Sequence, residues 1–172
     1  MNINSIPKKP ILIFGYGNLS RGDDAVGPLL LAYLEQHADL SNVELLNDFQ
    51  LQIEHALDLQ DRDWVMFVDA AVNIDNAFTF KKLQPCRDNS YTSHAMSPAA
   101  LLQVYADIAR QTLLPPCFLL SIKAESFELG EDLSASCANN LHQACEFARH
   151  LLALPATEVF AAIESVPVNI NQ

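Results

Sequence analysis

Basic residues are scarce in this 172-residue chain: ten lysines and arginines stand against twenty-one acids, for a net charge of −11. Phosphate backbones attract Lys and Arg, so this balance argues against nucleic acid as a partner. It argues equally against docking on anionic lipid. A basic peptide segment or a metal cation suits such a field better, and the same charge keeps a protein dispersed in water.

Other absences narrow the chemistry. The four cysteines, Cys86, Cys117, Cys137 and Cys145, form no C-x-x-C pair, which leaves out a zinc knuckle or a thioredoxin-like motif. Cys117 and Cys145 lie in apolar runs and read as small hydrophobes. The polar start MNINSIPKKP has no apolar segment suited to a signal peptide, and no apolar run approaches a membrane span. A reduced, soluble, cytoplasmic protein is expected. There is no G-K-[ST] of a phosphate loop, no H-E-x-x-H, and no G-x-S-x-G elbow for a serine nucleophile. Repeats and linkers are missing too, so residues 1–172 read as one domain, with a tail after about residue 155 that reads as one loose helix and a frayed end.

What is present is a hydrophobic half of the sequence, enough for a sizeable core. PILIFGYG, NVELLND, DWVMFVDA and PPCFLLSIKA read as strands, and NAFTFKKL as one more. DWVMFVDA is apolar on both faces, as a central strand of a parallel sheet should be. Helices are expected from Asp24 to about Gln36, over LQIEHALDL, from Ser97–Pro98 onwards, and over SCANNLHQACEFARHLLAL. Ser97 is an N-cap and Pro98 a first helical residue by type. Strands alternating with helices predict a three-layer α/β/α sandwich, with a mostly parallel twisted sheet of about five strands. Ligands in such folds sit beyond the carboxyl ends of the strands.

The loop GYGNLSRGDDAVG joins the first strand to its helix. Gly15 and Gly17 start a dinucleotide fingerprint, but Ser20 stands at its third glycine position. Asp23 and Asp24 would occupy the helix-start donors and repel a phosphate, so a nucleotide does not belong here. One aspartate is expected to cap the helix and the other to face the strand ends. Asp69 ends the central strand on that same rim, and His94 lies in the polar loop before the Ser97 helix. Two carboxylates and an imidazole with an open position suit zinc, nickel or a similar divalent ion.

These blocks resemble the [NiFe]-hydrogenase maturation endopeptidases. GYGNLSRGDDAVG is similar to their G-x-G-N-x-x-x-x-D-[DE]-x-x-G signature, FVDA to their second block and SYTSHAMSPAALL to their third. FELGEDLS matches their F-x-x-G-x-x-L-S ending, and FQLQIEHALDL resembles the branch serving soluble, cofactor-reducing hydrogenases. The resemblance spans about Ile11 to Leu152 with the motifs in order. It implies a small monomeric α/β protease that removes the C-terminal extension of a hydrogenase large-subunit precursor once nickel is inserted. The cut would follow the His or Arg just after the last metal-binding cysteine motif. Position by position, it implies that Asp24, Asp69 and His94 are the metal ligands and catalytic residues. The chain departs from the family at NDFQLQ, where many members carry Gly-Thr, and at Ala25, where Gly is common.

Peptide hydrolysis needs an activated water and a stabilised oxyanion, and a metal can supply both. The expected metal is nickel presented by the precursor, with one carboxylate free as general base. A second version has the metal only position the substrate. The alternative function is a non-enzymatic chaperone that senses the nickel centre without cutting.

Overall fold

The computed structural model describes residues 7–87, 96–109 and 112–164. Its centre is a five-stranded sheet ordered β2-β1-β3-β5-β4, built from β1 (Ile11–Tyr16), β2 (Val43–Asp48), β3 (Trp64–Ala71), β4 (Phe78–Lys82) and β5 (Cys117–Lys123). All neighbours pair in parallel except β4, which runs antiparallel along β5 at one edge. The expected sandwich and strand count are found.

Strand alternation divides the apolar residues between two cores. Ile13 of β1, Trp64, Met66 and Val68 of β3, and Phe118, Leu120 and Ile122 of β5 face one side. There they meet α1 (Val26–His37), α3 (Ala135–Ala153) and α4 (Ala156–Glu164). Leu12, Phe14 and Tyr16 of β1, Val65 and Phe67 of β3, and Cys117 and Leu119 of β5 face the other. They pack on α2 (Pro98–Ile108) and on a 3-10 segment over Ile53–Leu59. A period of two on a sheet covered on both faces turns a continuous apolar run into two interfaces. Among the described residues no helix is long and apolar enough to cross a membrane.

Several local readings hold. Ser97 caps α2, its Oγ accepting from the Ala100 N–H at 3.2 Å, and Pro98 takes the first helical position. Pro28 falls in the first turn of α1, where its missing N–H costs nothing. Cys117, Cys137 and Cys145 are buried, and burial pushes the thiols of Cys137 and Cys145 up to about 12 and that of Cys117 higher still.

Three readings are corrected. LQIEHALDL winds as 3-10 rather than α-helix from Ile53 to Leu59. The His55 ring draws its start into a tight closure, accepting the Gln52 N–H at 2.9 Å. The tail after residue 155 is not loose up to Glu164: α4 packs, with Val159 and Ile163 buried one helical turn apart. Finally, neither Asp23 nor Asp24 caps α1, whose N-cap is Ala25 with no side-chain cap bond. A 3-10 turn over Gly22–Ala25 precedes the helix, and backbone carbonyls of Glu131, Ser126 and Arg21 take the N–H groups of Gly22, Asp23 and Asp24. The N–H groups that open this turn thus go to backbone carbonyls, not to either carboxylate.

Candidate active site

The strand order reverses direction between β1 and β3: the chain leaves β1 for β2 on one side and returns to β3 on the other. Open α/β sheets form their ligand crevice at such a point, beyond the carboxyl ends of the strands. Here those ends carry Tyr16 and Gly17 from β1 and its loop, and Asp69 from β3. A depression of about 350 Å³ lies there, lined by Tyr16, Gly17, Asn18, Arg21, Asp24, Phe49, Gln50 and Asp69.

The paired aspartates divide the work. Asp23 is fully buried. Its carboxylate accepts the N–H groups of Glu125, Ser126 and Ser134 at 2.8, 3.0 and 2.7 Å, and the Ser134 hydroxyl at 2.8 Å. Burial alone would push this carboxyl up; the hydrogen bonds from Glu125, Ser126 and Ser134 outweigh it and hold the group below its ordinary value. Asp23 therefore sews the first loop to the FELGEDLS segment and to the start of α3.

Asp24 turns the other way, to the depression. Its Oδ2 accepts the Asn18 N–H at 2.8 Å, and its Oδ1 accepts no hydrogen bond from the described residues. Gly17 makes this turn possible. Its φ of +143° is a left-side conformation, and an added Cβ would sit 2.0 Å from the Asp24 carbonyl oxygen. Gly27 does the same for packing: a Cβ there would lie 2.6 Å from the Tyr16 carbonyl oxygen, so α1 can approach β1 only through a bare backbone. Gly17→Ala should cost several kcal/mol, because strained φ and backbone overlap add. Urea unfolding read by circular dichroism checks this, with the midpoint expected to fall well below that of the wild type.

Asp69 sits at the level of Tyr16. Gly15 pairs with Val68 in the parallel register, so the next residues stand side by side. Both carry the parity of the α2-facing core. The Tyr16 hydroxyl donates to Asp69 Oδ2 at 3.0 Å, and the Ala70 N–H donates to Oδ1 at 2.8 Å. Burial pushes the Asp69 carboxyl up to about 6, with the charge of Asp24 adding to it against the two donors. Burial, then the charge of Asp69, raises the Tyr16 phenol well above its ordinary value, so it stays a donor.

Two of the three expected site residues, Asp24 and Asp69, thus line one depression. His94 lies outside the described residues. Among those described, no group of three or more His, Cys, Asp or Glu side chains is arranged to hold a metal. The carboxylate pair still fits a cation: burial pushes the Asp69 carboxyl up to about 6, the charge of Asp24 adds to that, and Asp24 Oδ1 accepts no hydrogen bond from the described residues. Sequence reasoning missed Tyr16, Arg21 and Gln50 at this rim. Tyr16 was within reach of strand parity and register, since residues 16 and 69 end two adjacent parallel strands. Arg21 and Gln50 carry no such signal, because loops set their direction.

The loop at the departed NDFQLQ segment forms one wall. Asp48 Oδ1 accepts the Phe49 N–H at 2.6 Å, and its Oδ2 lies 3.3 Å from His55 Nε2, so both sides of the loop are braced. Phe49 stands out from it, 73% exposed.

No family model matches the chain. No curated protein matches it in sequence. Solved structures do match in fold. A [NiFe] hydrogenase maturation protease, HycI, from Thermococcus kodakarensis KOD1 superimposes with a TM-score of 0.67 at 22% identity, over 87% of this chain and 96% of that one. The hydrogenase maturating endopeptidase HybD of E. coli gives 0.62 at 24% identity, over 80% and 88%. An endopeptidase from Escherichia coli gives 0.63 at 23%, over 91% and 94%. At these identities the likeness establishes the fold.

Proposed function

We propose that this chain is the endopeptidase that removes the C-terminal extension of a nickel-loaded [NiFe]-hydrogenase large-subunit precursor. The observation that carries this reading is the pair Asp24 and Asp69, drawn together at the switch point of a fold that solved hydrogenase maturation proteases share. The sequence blocks in their family order support it.

The metal belongs to the substrate in this reading, as nickel carried by the precursor. Asp24 and Asp69 would hold it, with His94 as the third ligand. When bound, such an ion polarises the scissile carbonyl and lowers the pKa of water. The two carboxylates are built for different parts. Asp69 is fixed by one donor on each oxygen, which makes it a rigid ligand. Asp24 Oδ1 accepts no hydrogen bond from the described residues, and in this reading it takes the proton of the attacking water. Arg21 lines the same depression; its Nε donates to the Phe127 carbonyl at 3.3 Å, and it forms no ion pair with a described residue, which leaves its terminal nitrogens to reach a substrate carbonyl. The net charge of −11 favours a basic residue beside the cut. A precursor without nickel would meet two unneutralised carboxylates and go uncut.

Mass spectrometry of a candidate large subunit, expressed with and without this chain, tests the reading. A mass loss equal to a C-terminal peptide, seen only with the chain and only after nickel insertion, is expected. A stable complex with unchanged precursor mass would instead mark a nickel-sensing chaperone.

A further inference from the structure

We infer that Tyr16 is a positioning residue for this site: its hydroxyl aims the Asp69 carboxylate and keeps it ready to take a cation. The inference rests on the site reading above, and its argument is geometric. Tyr16 is nearly buried, with 8% of its surface exposed, and its ring is wedged against Phe14 at 6.1 Å between centroids in the α2-facing core. The ring therefore has one place to put its hydroxyl, at the top of the strand, where it meets Asp69 Oδ2 at 3.0 Å. The Ala70 N–H holds Oδ1 from the opposite side at 2.8 Å. Two donors on two oxygens fix the plane of the carboxylate, while each oxygen keeps a lone pair for a ligand.

Without the hydroxyl, the bond from its own neighbour's backbone is the one left to the carboxylate among the described residues, and it can swing about its side-chain torsions. Outer partners of metal-binding side chains typically govern affinity by about 10- to 100-fold. Tyr16 lines the depression, but its hydroxyl is engaged with Asp69 Oδ2, so it acts through Asp69 rather than on the substrate.

Tyr16→Phe tests this, with Asp69→Asn and Tyr105→Phe as companions. Tyr105 is another buried tyrosine, whose hydroxyl has no partner among the described residues, so its loss controls for removing a buried oxygen. Two quantities are read at one fixed pH: binding of nickel chloride to the protein alone by calorimetry, and kcat and KM for cleavage of nickel-loaded precursor. Expected for Tyr16→Phe are roughly 10-fold weaker nickel binding and a kcat at least 10-fold lower with KM unchanged. Tyr105→Phe should match the wild type, and all variants should melt as folded proteins. Wild-type nickel binding and kcat in Tyr16→Phe, with both lost in Asp69→Asn, would overturn the role of Tyr16 and leave the site standing. Asp69→Asn binding and cleaving like the wild type would overturn the site itself, and the role of Tyr16 with it. Where the wild type alone binds no nickel, the split between kcat and KM decides.

Discussion

Replacing Asp69 with Asn should abolish processing and make the protein more stable. The first half follows from the loss of an anionic ligand at the centre of the site; cleavage should fall by at least about a hundredfold. The second half follows from burial. Asn keeps both local bonds: its Oδ1 accepts the Ala70 N–H, and its Nδ2 donates to the Tyr16 oxygen, because a hydroxyl can reverse its role. What disappears is a buried charge. The native Asp69 carboxyl is raised to about 6, mainly by burial. Between the ordinary carboxylate value and about 6 the native state holds a proton that the unfolded state has released. The contribution of Asp69 to stability is therefore best in acid and is lost as pH rises through 6. Above that the wild type carries a penalty of about 2 kcal/mol, reduced from the full shift because the group is partly solvated. Denaturant titrations at pH 5 and pH 8 check this. The stability advantage of Asp69→Asn should be larger at pH 8. Equal or lower stability of the variant at pH 8 would contradict the burial argument.

Asp23→Ala should do the opposite: destabilise the protein with no direct effect on the chemistry. Its carboxylate satisfies three backbone N–H groups and one hydroxyl, all from residues more than a hundred positions away. Leaving buried donors without a partner costs about 1–3 kcal/mol for each group that water cannot reach. A total of at least about 3 kcal/mol is expected, since part of the segment can relax toward solvent. For a domain of this size that corresponds to a melting temperature lower by roughly 6–12 °C. The sign with pH is also opposite to that of Asp69. Asp23 is held below its ordinary value, so its stabilisation is present above the ordinary carboxylate range and is lost as pH falls through the native value. Differential scanning calorimetry of Asp23→Ala and Asp24→Ala separates the two neighbours: a large loss for the first and a small one for the second. Equal losses would mean that the division of work between them is wrong.

That division shows how far the sequence could be read. DWVMFVDA was legible as a central strand because a strand buried on both faces has no polar alternation, and β3 is flanked by β1 and β5. Ser97–Pro98 was legible because the cap and the first-turn proline act within one turn. The pair Asp23–Asp24 was legible as a place but not as two roles. The sequence offers a helix start as the nearest partner for an aspartate, whereas the structure supplies donors from Glu125, Ser126 and Ser134 that only the fold brings near. Tyr16 reads as one more apolar strand residue until the β1–β3 register sets it beside Asp69. The 3-10 winding of Ile53–Leu59 depends on the His55 ring closing on the Gln52 N–H, a detail that apolar spacing does not encode.

The central claim is that Asp24 and Asp69 form a peptide-cutting site that works on a nickel-bearing precursor. Intact-mass measurement of purified precursor, nickel-loaded and empty, incubated with the wild type, Asp24→Asn or Asp69→Asn, tests it most directly. The account predicts loss of a C-terminal peptide from the loaded precursor with the wild type only, and no change with either folded variant. Cleavage by both variants, or no cleavage of the loaded precursor by the wild type, would contradict it.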